Sequence, residues 1–493
     1  MKHILSKSTF IRGCQCHKSL FLYKFYPNLR DEITEAQQAI FDRGTNVGLL
    51  AQQLFPGGIN VKPPTPYEYQ KSVQDTQMAI SSGAEVIYEA AFQYNGVLAA
   101  LDILVKENGK WKIVEVKSST SVSDTYVLDT ALQYWIVTNC GYEVSDVGVL
   151  HLNNQYIRKG ELDLQQLFTY ESTLEKVFPL QDFIHEQVEE QLKLISEKKL
   201  PAIDIGLQCD DPYTCDFHGH CWQHIPDYSV FNISRLRAEK KFELYYKGIT
   251  RLEDIPDDFP LNENQWLQVN SHKSGNTTID KSKIQNFLKS FDYPVFFMDF
   301  ETFMPALPLY DNSRPYQQIP FQYSLHYLNK PGSELQHFEF LAESDINIDP
   351  RIKFIEQLLT DTKGKGTILV YNEAFEKTRL AEVARDFPQY ADDINERLTR
   401  IKDLMTPFRD KSIYMPEMRG SYSIKKVLPA LIPELSYNKL EINNGGMASM
   451  GFEQLFYETN KTVIENTRKN LLEYCKMDTF AMVKLLEFIE QIN

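Results

Sequence analysis

The chain has 493 residues, 43% of them apolar, and a formal net charge of −15. That length predicts two or three domains, and the acidity argues against a protein that coats nucleic acid regardless of sequence. There is no unbroken apolar run long enough for a membrane span and no leader with a small-residue cleavage site, so the sequence predicts no membrane association and a cytoplasmic location.

Residues 1–30 carry Lys2, Lys7, Arg12, Lys18, Lys24 and Arg30 and no acidic residue. Such a stripe suits either a solvated helix face or a local grip on nucleic acid. Residues 5–29 read as helical from a Ser6 or Ser8 cap, and 33–55 as a second helical stretch stopped by Pro56-Gly57-Gly58. Alternation predicts strands over 84–94 and 97–106 joined at Asn95-Gly96, then a third over Trp111–Lys117 after a turn at 107–110. A helix over 124–139 and a short strand over Val147–Leu152 follow. Residues 161–198 read as long charged helices, 199–227 as a loop, and 230–290 as polar helices. A second α/β pattern then begins, with strands Pro294–Phe300, Ile319–Leu328 and Ile368–Tyr371 and helices near 375–386, 391–405, 423–432 and 462–491. The predicted organisation is an α/β domain over 1–227, a helical connector over 228–290 and a second α/β domain over 291–493.

Asp102 closes the strand segment Val97–Leu101, and Glu115 and Lys117 lie two apart on the next strand. A strand repeats every two residues, so Glu115 and Lys117 share a face, and the hairpin sets Asp102 opposite them. Two carboxylates and a lysine among Val, Ile and Leu need partners or a cation. Mg²⁺ or Mn²⁺ on Asp102 and Glu115 would meet that need, with Lys117 orienting or activating a nucleophile. Glu-x-Lys alone also suits an exposed strand of alternating charge, but the following helix adds Gln133-Tyr134. The whole pattern resembles the PD-(D/E)xK core of RecB-type nucleases, a restriction-endonuclease-like fold whose next helix bears a Gln and a Tyr. The resemblance implies catalytic roles for Asp102, Glu115, Lys117 and Gln133, with Tyr134 or Tyr126 as the tyrosine. One departure is that Gly48, after Arg43-Gly44-Thr45, stands where relatives carry a metal-binding histidine; Glu89 is a possible substitute ligand or an ordinary strand residue.

Seven cysteines in a cytoplasmic chain predict reduced or metal-bound thiols. Cys140 and Cys475 read as small buried hydrophobes. Cys16 precedes the first domain's core, and Cys209, Cys215 and Cys221 follow it; Cys14 is a spare. Four thiolates from the two ends of one domain suit a metal staple. The one-before, three-after order resembles the iron–sulfur branch of RecB-type nucleases, the group of AddB and the CRISPR-adaptation nucleases, and implies a structural [4Fe–4S] cluster, although Cys209 lies three residues earlier than that group's spacing. Zinc, with His218, His220 or His224 as further ligands, is the alternative.

Asp299 and Glu301 share a face of the apolar strand Phe296–Thr302, Glu376 opens a helix after the strand Ile368–Tyr371, and Tyr474 and Asp478 lie four apart on a helix. Acids drawn from strand, helix start and C-terminal helix suit a two-metal phosphodiester site, with Tyr474 orienting the water. The set resembles the tyrosine subtype of DEDD exonucleases, of ribonuclease H-like fold, with Glu376 in place of the usual Asp. Asp403 is another acid that could approach the site, a helix-end residue being the preferred reading, and Gly420–Lys426 reads as a helix start whose lysines could touch phosphates or solvent. Together the resemblances imply an iron–sulfur PD-(D/E)xK nuclease fused to a DEDD exonuclease, hydrolysing DNA with Mg²⁺ or Mn²⁺ at single-stranded or exposed ends. A ribonuclease acting on RNA, and a non-catalytic binding factor built from degenerate nuclease folds, are the alternatives.

Overall fold

A computed structural model describes residues 4–33, 35–65 and 68–492, with the backbone alone at 35–37 and 39–43, so Lys2 and the side chain of Arg43 lie outside the described residues. The chain is a mixed α/β protein that divides into two units, one of residues 1–224 with 306–315, the other of 225–305 with 316–493. Among the described residues no helix is long and apolar enough to cross a membrane.

In the first unit, strands β1 (Leu5–Ser6), β2 (Ile59–Asn60), β3 (Val86–Tyr94), β4 (Val97–Glu107), β5 (Lys110–Lys117), β6 (Val144–Leu152) and β7 (Phe168–Ser172) form one sheet. Its order is β2-β3-β4-β5-β6-β7, with β1 also on β4. β3, β4 and β5 are an antiparallel meander, and β6 joins β5 in parallel. Both meander turns place two residues at positive φ: Asn95 (42°) with Gly96 (76°), and Asn108 (49°) with Gly109 (83°). Those are the conformations that two-residue hairpins require. Helices α1 (Lys7–Gln15), α2 (His17–Phe25), α3 (Glu35–Ala51), α4 (Tyr69–Ser81) and α5 (Asp124–Asn139) belong to this unit. Trp111 and Ile113 of β5 and Leu104 of β4 enter one core with Val127, Ala131 and Trp135 of α5.

Residues 161–198 are not long helices throughout. A single helical turn (Leu164–Leu167) leads into β7, and the long helix is Gln181–Glu197. β7 pairs antiparallel with β6, an edge contact that its polar sequence does not advertise. Five of the basic residues of 1–30 have partners within the chain. Arg12 and Arg30 both pair with Asp216, Lys18 donates to the Ile203 carbonyl, Lys24 to that of Ile4, and Lys7 to Glu115.

Residues 306–315 dock on the first unit. Arg158 donates its guanidinium to the carbonyls of Pro308 (3.0 Å) and Leu309 (2.7 Å), and its amide to that of Ser313 (3.0 Å). Gly160 N–H reaches Asp311 at 2.7 Å.

In the second unit, β8 (Thr278–Ile279) and β14 (Ile413–Tyr414) form a two-stranded ribbon. β9 (Val295–Phe303), β10 (Ile319–Leu328), β11 (Gln336–Leu341), β12 (Thr367–Val370) and β13 (Ile401–Asp403) form a sheet of order β11-β10-β9-β12-β13. The segment read as a connector has a small core of its own, Val230, Ile233, Leu244, Leu252, Ile255, Phe259 and Val269, and groups with the second unit. Strand period sorts β9. Phe296, Met298 and Phe300 enter the core with Phe354, Ile355 and Leu380, while Asp299, Glu301 and Phe303 face the other way, where Phe303 meets Phe452.

Candidate functional sites

The first acidic site lies where the apolar stripe Trp111-Ile113 gives way to Glu115 and Lys117. Extending the register Ile103↔Val114 by one residue sets Asp102 opposite Glu115. Asp102 accepts the Val116 N–H at 2.7 Å. Glu115 is 1% exposed; its Oε1 accepts from Lys117 (2.8 Å) and from Lys7, and its Oε2 from Gln133 Nε2 (2.6 Å). Lys117 is pinned on its other side by Asp129 at 2.7 Å. Burial favours the neutral acid at both carboxyls. At Glu115 the charges of Lys117 and Lys7 outweigh it and bring the carboxyl down to about 2, whereas at Asp102 burial and the charge of Glu115 push it up to about 7. The Lys117 ammonium lies 5.0 Å from the Tyr126 ring centroid, while Tyr134 packs against the core, so of the two tyrosines Tyr126 is the one beside the lysine. Glu89 pairs with Lys62 at 3.6 Å and has φ of 58°, a left-handed residue inside a strand. A side chain added at Gly48 would meet nothing within 4 Å.

Lys7 and Asp129 were missed by sequence reasoning. Asp129 stands four residues before Gln133, on the same helix face, and that spacing was its available signal.

Cys16, Cys209, Cys215 and Cys221 line one cavity together with Lys18, Ser19, Phe217 and His218. Cys16 sits at the α1–α2 junction, and the Cys215 amide donates to the Cys209 carbonyl at 2.8 Å. Burial raises the Cys16 and Cys221 thiols, and the neighbouring cysteines raise them further. His218 stacks on Trp222 at 4.4 Å between centroids. Cys14 stays apart; it accepts from Gln191, and burial pushes its thiol up to about 12, so it remains protonated. Cys140 is half-buried and Cys475 fully buried.

The second acidic site joins Asp299 and Glu301 of β9 to Asp478 of the helix Lys461–Gln491. These three offer carboxylate oxygens within 4.8 Å of one another, and they are the one such metal-ligating group among the described residues. Glu376, on the first turns of the helix Glu373–Asp386, is 1% exposed; its Oε2 and Asp478 Oδ2 are buried with no hydrogen-bond partner. Burial first, then mutual repulsion, holds Asp299, Glu301 and Glu376 well above the ordinary carboxylate range. Burial lifts Asp478 to about 6 against donors from Tyr437 and Tyr474 and the charge of Lys425. Four clustered acids, with two buried oxygens lacking partners, are what a divalent cation would complete.

Three neighbours shape this pocket. Tyr437 donates to Asp478 Oδ1 at 2.7 Å. Lys425 donates to the Tyr474 hydroxyl at 3.2 Å and to the Asn443 carbonyl at 2.6 Å. Gly445 passes so near Glu301 that a Cβ there would stand 3.3 Å from Oε2. Asp403 is not a helix-end residue. It ends strand β13, is 6% exposed, pairs with Arg409 at 2.8 Å and accepts the Asn372 amide at 3.1 Å. Asn372 has φ of 93° and starts the helix that carries Glu376, so Asp403 braces that left-handed turn. Helix 391–405 accordingly stops at Arg400, and β13 follows.

Residues 296–423 match the model of a domain of unknown function, DUF2779. The matched span contains Asp299, Glu301, Glu376 and Asp403 and ends before Lys425, Tyr437 and Asp478. The chain is also similar to the uncharacterized protein UU173 of Ureaplasma parvum, 28% identical over 245 residues, covering 45% of this chain and 35% of that protein. A similar match, 26% identical over 217 residues, is to the uncharacterized protein MG366 of Mycoplasma genitalium, covering 40% of this chain and 32% of the relative. The chain thus spans about a third of the length of these relatives.

Proposed function

We propose that the protein is a metal-dependent nuclease that hydrolyses DNA phosphodiester bonds, exonucleolytically at single-stranded or exposed ends. The observation that carries this reading is the clustered Asp299–Glu301–Asp478 group, with buried Glu376 beside it and two buried carboxylate oxygens lacking partners. On this reading the second domain is a ribonuclease H-like DEDD exonuclease and the first a PD-(D/E)xK nuclease. Mg²⁺ or Mn²⁺, when bound, supplies Lewis acidity to the phosphate and lowers the pKa of the attacking water. The chain's own part is positioning. Tyr437 donates to Asp478 and opposes its protonation, Lys425 fixes the Tyr474 hydroxyl that would orient water, and Asp403 braces the turn below Glu376. At the first site Gln133 and Lys117 orient Glu115, and Lys117 meets the nucleophile or phosphate.

Cys16, Cys209, Cys215 and Cys221 would hold a [4Fe–4S] cluster as a staple. The support for this is that the four cysteines line one cavity, with His218 beside them as a further ligand should the metal be zinc.

The test is cleavage of end-labelled single- and double-stranded DNA, and of RNA, by anaerobically purified protein with Mn²⁺. Lys117→Ala, Asp478→Ala and the double variant run alongside. Loss in one single variant assigns the activity to that site; loss in the double variant alone assigns it to both. DNA left intact under Mg²⁺ and Mn²⁺ ends the deoxyribonuclease reading, in favour of a ribonuclease if RNA is cut and of a binding factor if it is not.

A further inference from the structure

Lys7 is the first residue of α1, whose start is fixed by a capping box between Ser6 and Thr9. Its ammonium contacts Glu115 Oε1, the oxygen that also accepts from Lys117 at 2.8 Å, while Oε2 is taken by Gln133 at 2.6 Å. Both oxygens of the principal proposed ligand are therefore held by protein donors, and two of the three donors are cations. Lys117 is anchored a second time, by Asp129 at 2.7 Å. The Lys7 side chain keeps 24% of its surface exposed against 2% for Glu115, which leaves it a path to solvent.

We propose that Lys7 is the resident counter-cation of the first acidic site: its ammonium fills the place a divalent ion would take on Glu115 beside Asp102, and metal enters only as the lysine swings out. The inference rests on the reading of Asp102 and Glu115 as metal ligands. A divalent ion on Glu115 Oε1 would be a third cation on an oxygen that Lys7 and Lys117 already share, with strong repulsion at short range, and linkage makes the antagonism reciprocal, so the bound lysine lowers metal affinity as the metal lowers lysine occupancy.

The experiment is a Mn²⁺ titration, read from the electron paramagnetic resonance signal of the free ion. It uses the full chain carrying Asp299→Asn and Asp478→Asn, so that the second site is silent. Lys7→Met and Lys7→Gln are expected to tighten Mn²⁺ binding at least tenfold, and Lys7→Arg to leave it weak. Adding Glu115→Gln should abolish the gain. Melting curves establish that each variant is folded, and the Met and Gln forms back each other up. Unchanged or weaker binding in both neutral variants, still lost on Glu115→Gln, overturns the role of Lys7 and leaves the metal reading standing. Binding insensitive to Glu115→Gln in every background overturns the metal reading of this site, and the proposal with it.

Discussion

The hydroxyl of Tyr437 donates to Asp478 Oδ1 at 2.7 Å, joining a short turn to the helix that closes the second acidic site. The bond opposes burial, which lifts the Asp478 carboxyl to about 6. Tyr437→Phe should raise that carboxyl further and leave less of it ionised for metal at neutral pH. Cleavage in a Lys117→Ala background is expected to fall about tenfold at pH 7, the scale of one hydrogen bond to a charged group, and to recover as pH is raised. A pH–rate profile decides; a deficit of equal size at every pH would count against the assigned role.

The same group predicts how stability responds to pH. Asp299, Glu301, Glu376 and Asp478 all have raised carboxyls, so the folded state binds protons that the unfolded chain releases. Their stabilising contribution is whole below the ordinary carboxylate range and is lost as pH climbs through about 6 and beyond. In EDTA the melting temperature of the second unit should fall from pH 5 to pH 8, and Mn²⁺ should remove most of that fall. A melting temperature indifferent to pH in EDTA would sink the idea.

Glu376 adds a trade-off. Its Oε2 is buried without a partner, and burial holds its carboxyl well above the usual range, so Glu376→Gln removes the need to take up a proton on folding while keeping the shape of the side chain. The variant should melt higher than the parent in EDTA, by roughly 1 kcal/mol, yet bind Mn²⁺ more weakly and lose second-site cleavage. Calorimetry with and without metal measures both halves. A variant destabilised in EDTA would show that Glu376 serves packing instead.

At the first site Lys117 lies between Glu115 and Asp129. Lys117→Met strands a mostly buried Asp129 and should destabilise the first unit by about 3 kcal/mol, whereas Lys117→Met with Asp129→Asn should recover a good part of that loss. A double-mutant cycle from denaturant melts gives the coupling; additive losses would mean that the Lys117–Asp129 pair contributes nothing of its own.

Much of this architecture was legible because period and turn chemistry agreed. The β3–β4 hairpin follows from Asn95-Gly96, and Ile319–Leu328 reads as a strand and is one. β7 and β11 escaped because edge strands with polar sequences look like helix or loop until their partners are known. β13 is only three residues long and continues from a helix. The acids of both sites could be found because a strand repeats every two residues and a helix turn every four. Lys7 and Tyr437 could not, because nothing in their own neighbourhood records that they meet Glu115 or Asp478. Asp403 reads first as a helix end and second as an acid near the site; it ends a strand and holds the amide of Asn372 across a parallel strand pair.

The docked segment 306–315 has a consequence for anyone who would take the protein apart. It belongs to the first unit although the residues on both sides of it belong to the second. A fragment ending at residue 224 would leave the Arg158 guanidinium and the Gly160 amide without Pro308, Leu309 and Asp311. Dissection by simple truncation therefore yields an incomplete first unit. A faithful split would return the missing ten residues in trans, as a synthetic peptide or a grafted C-terminal tail, and the stability regained on adding them would report how much of that unit is borrowed from further along the chain.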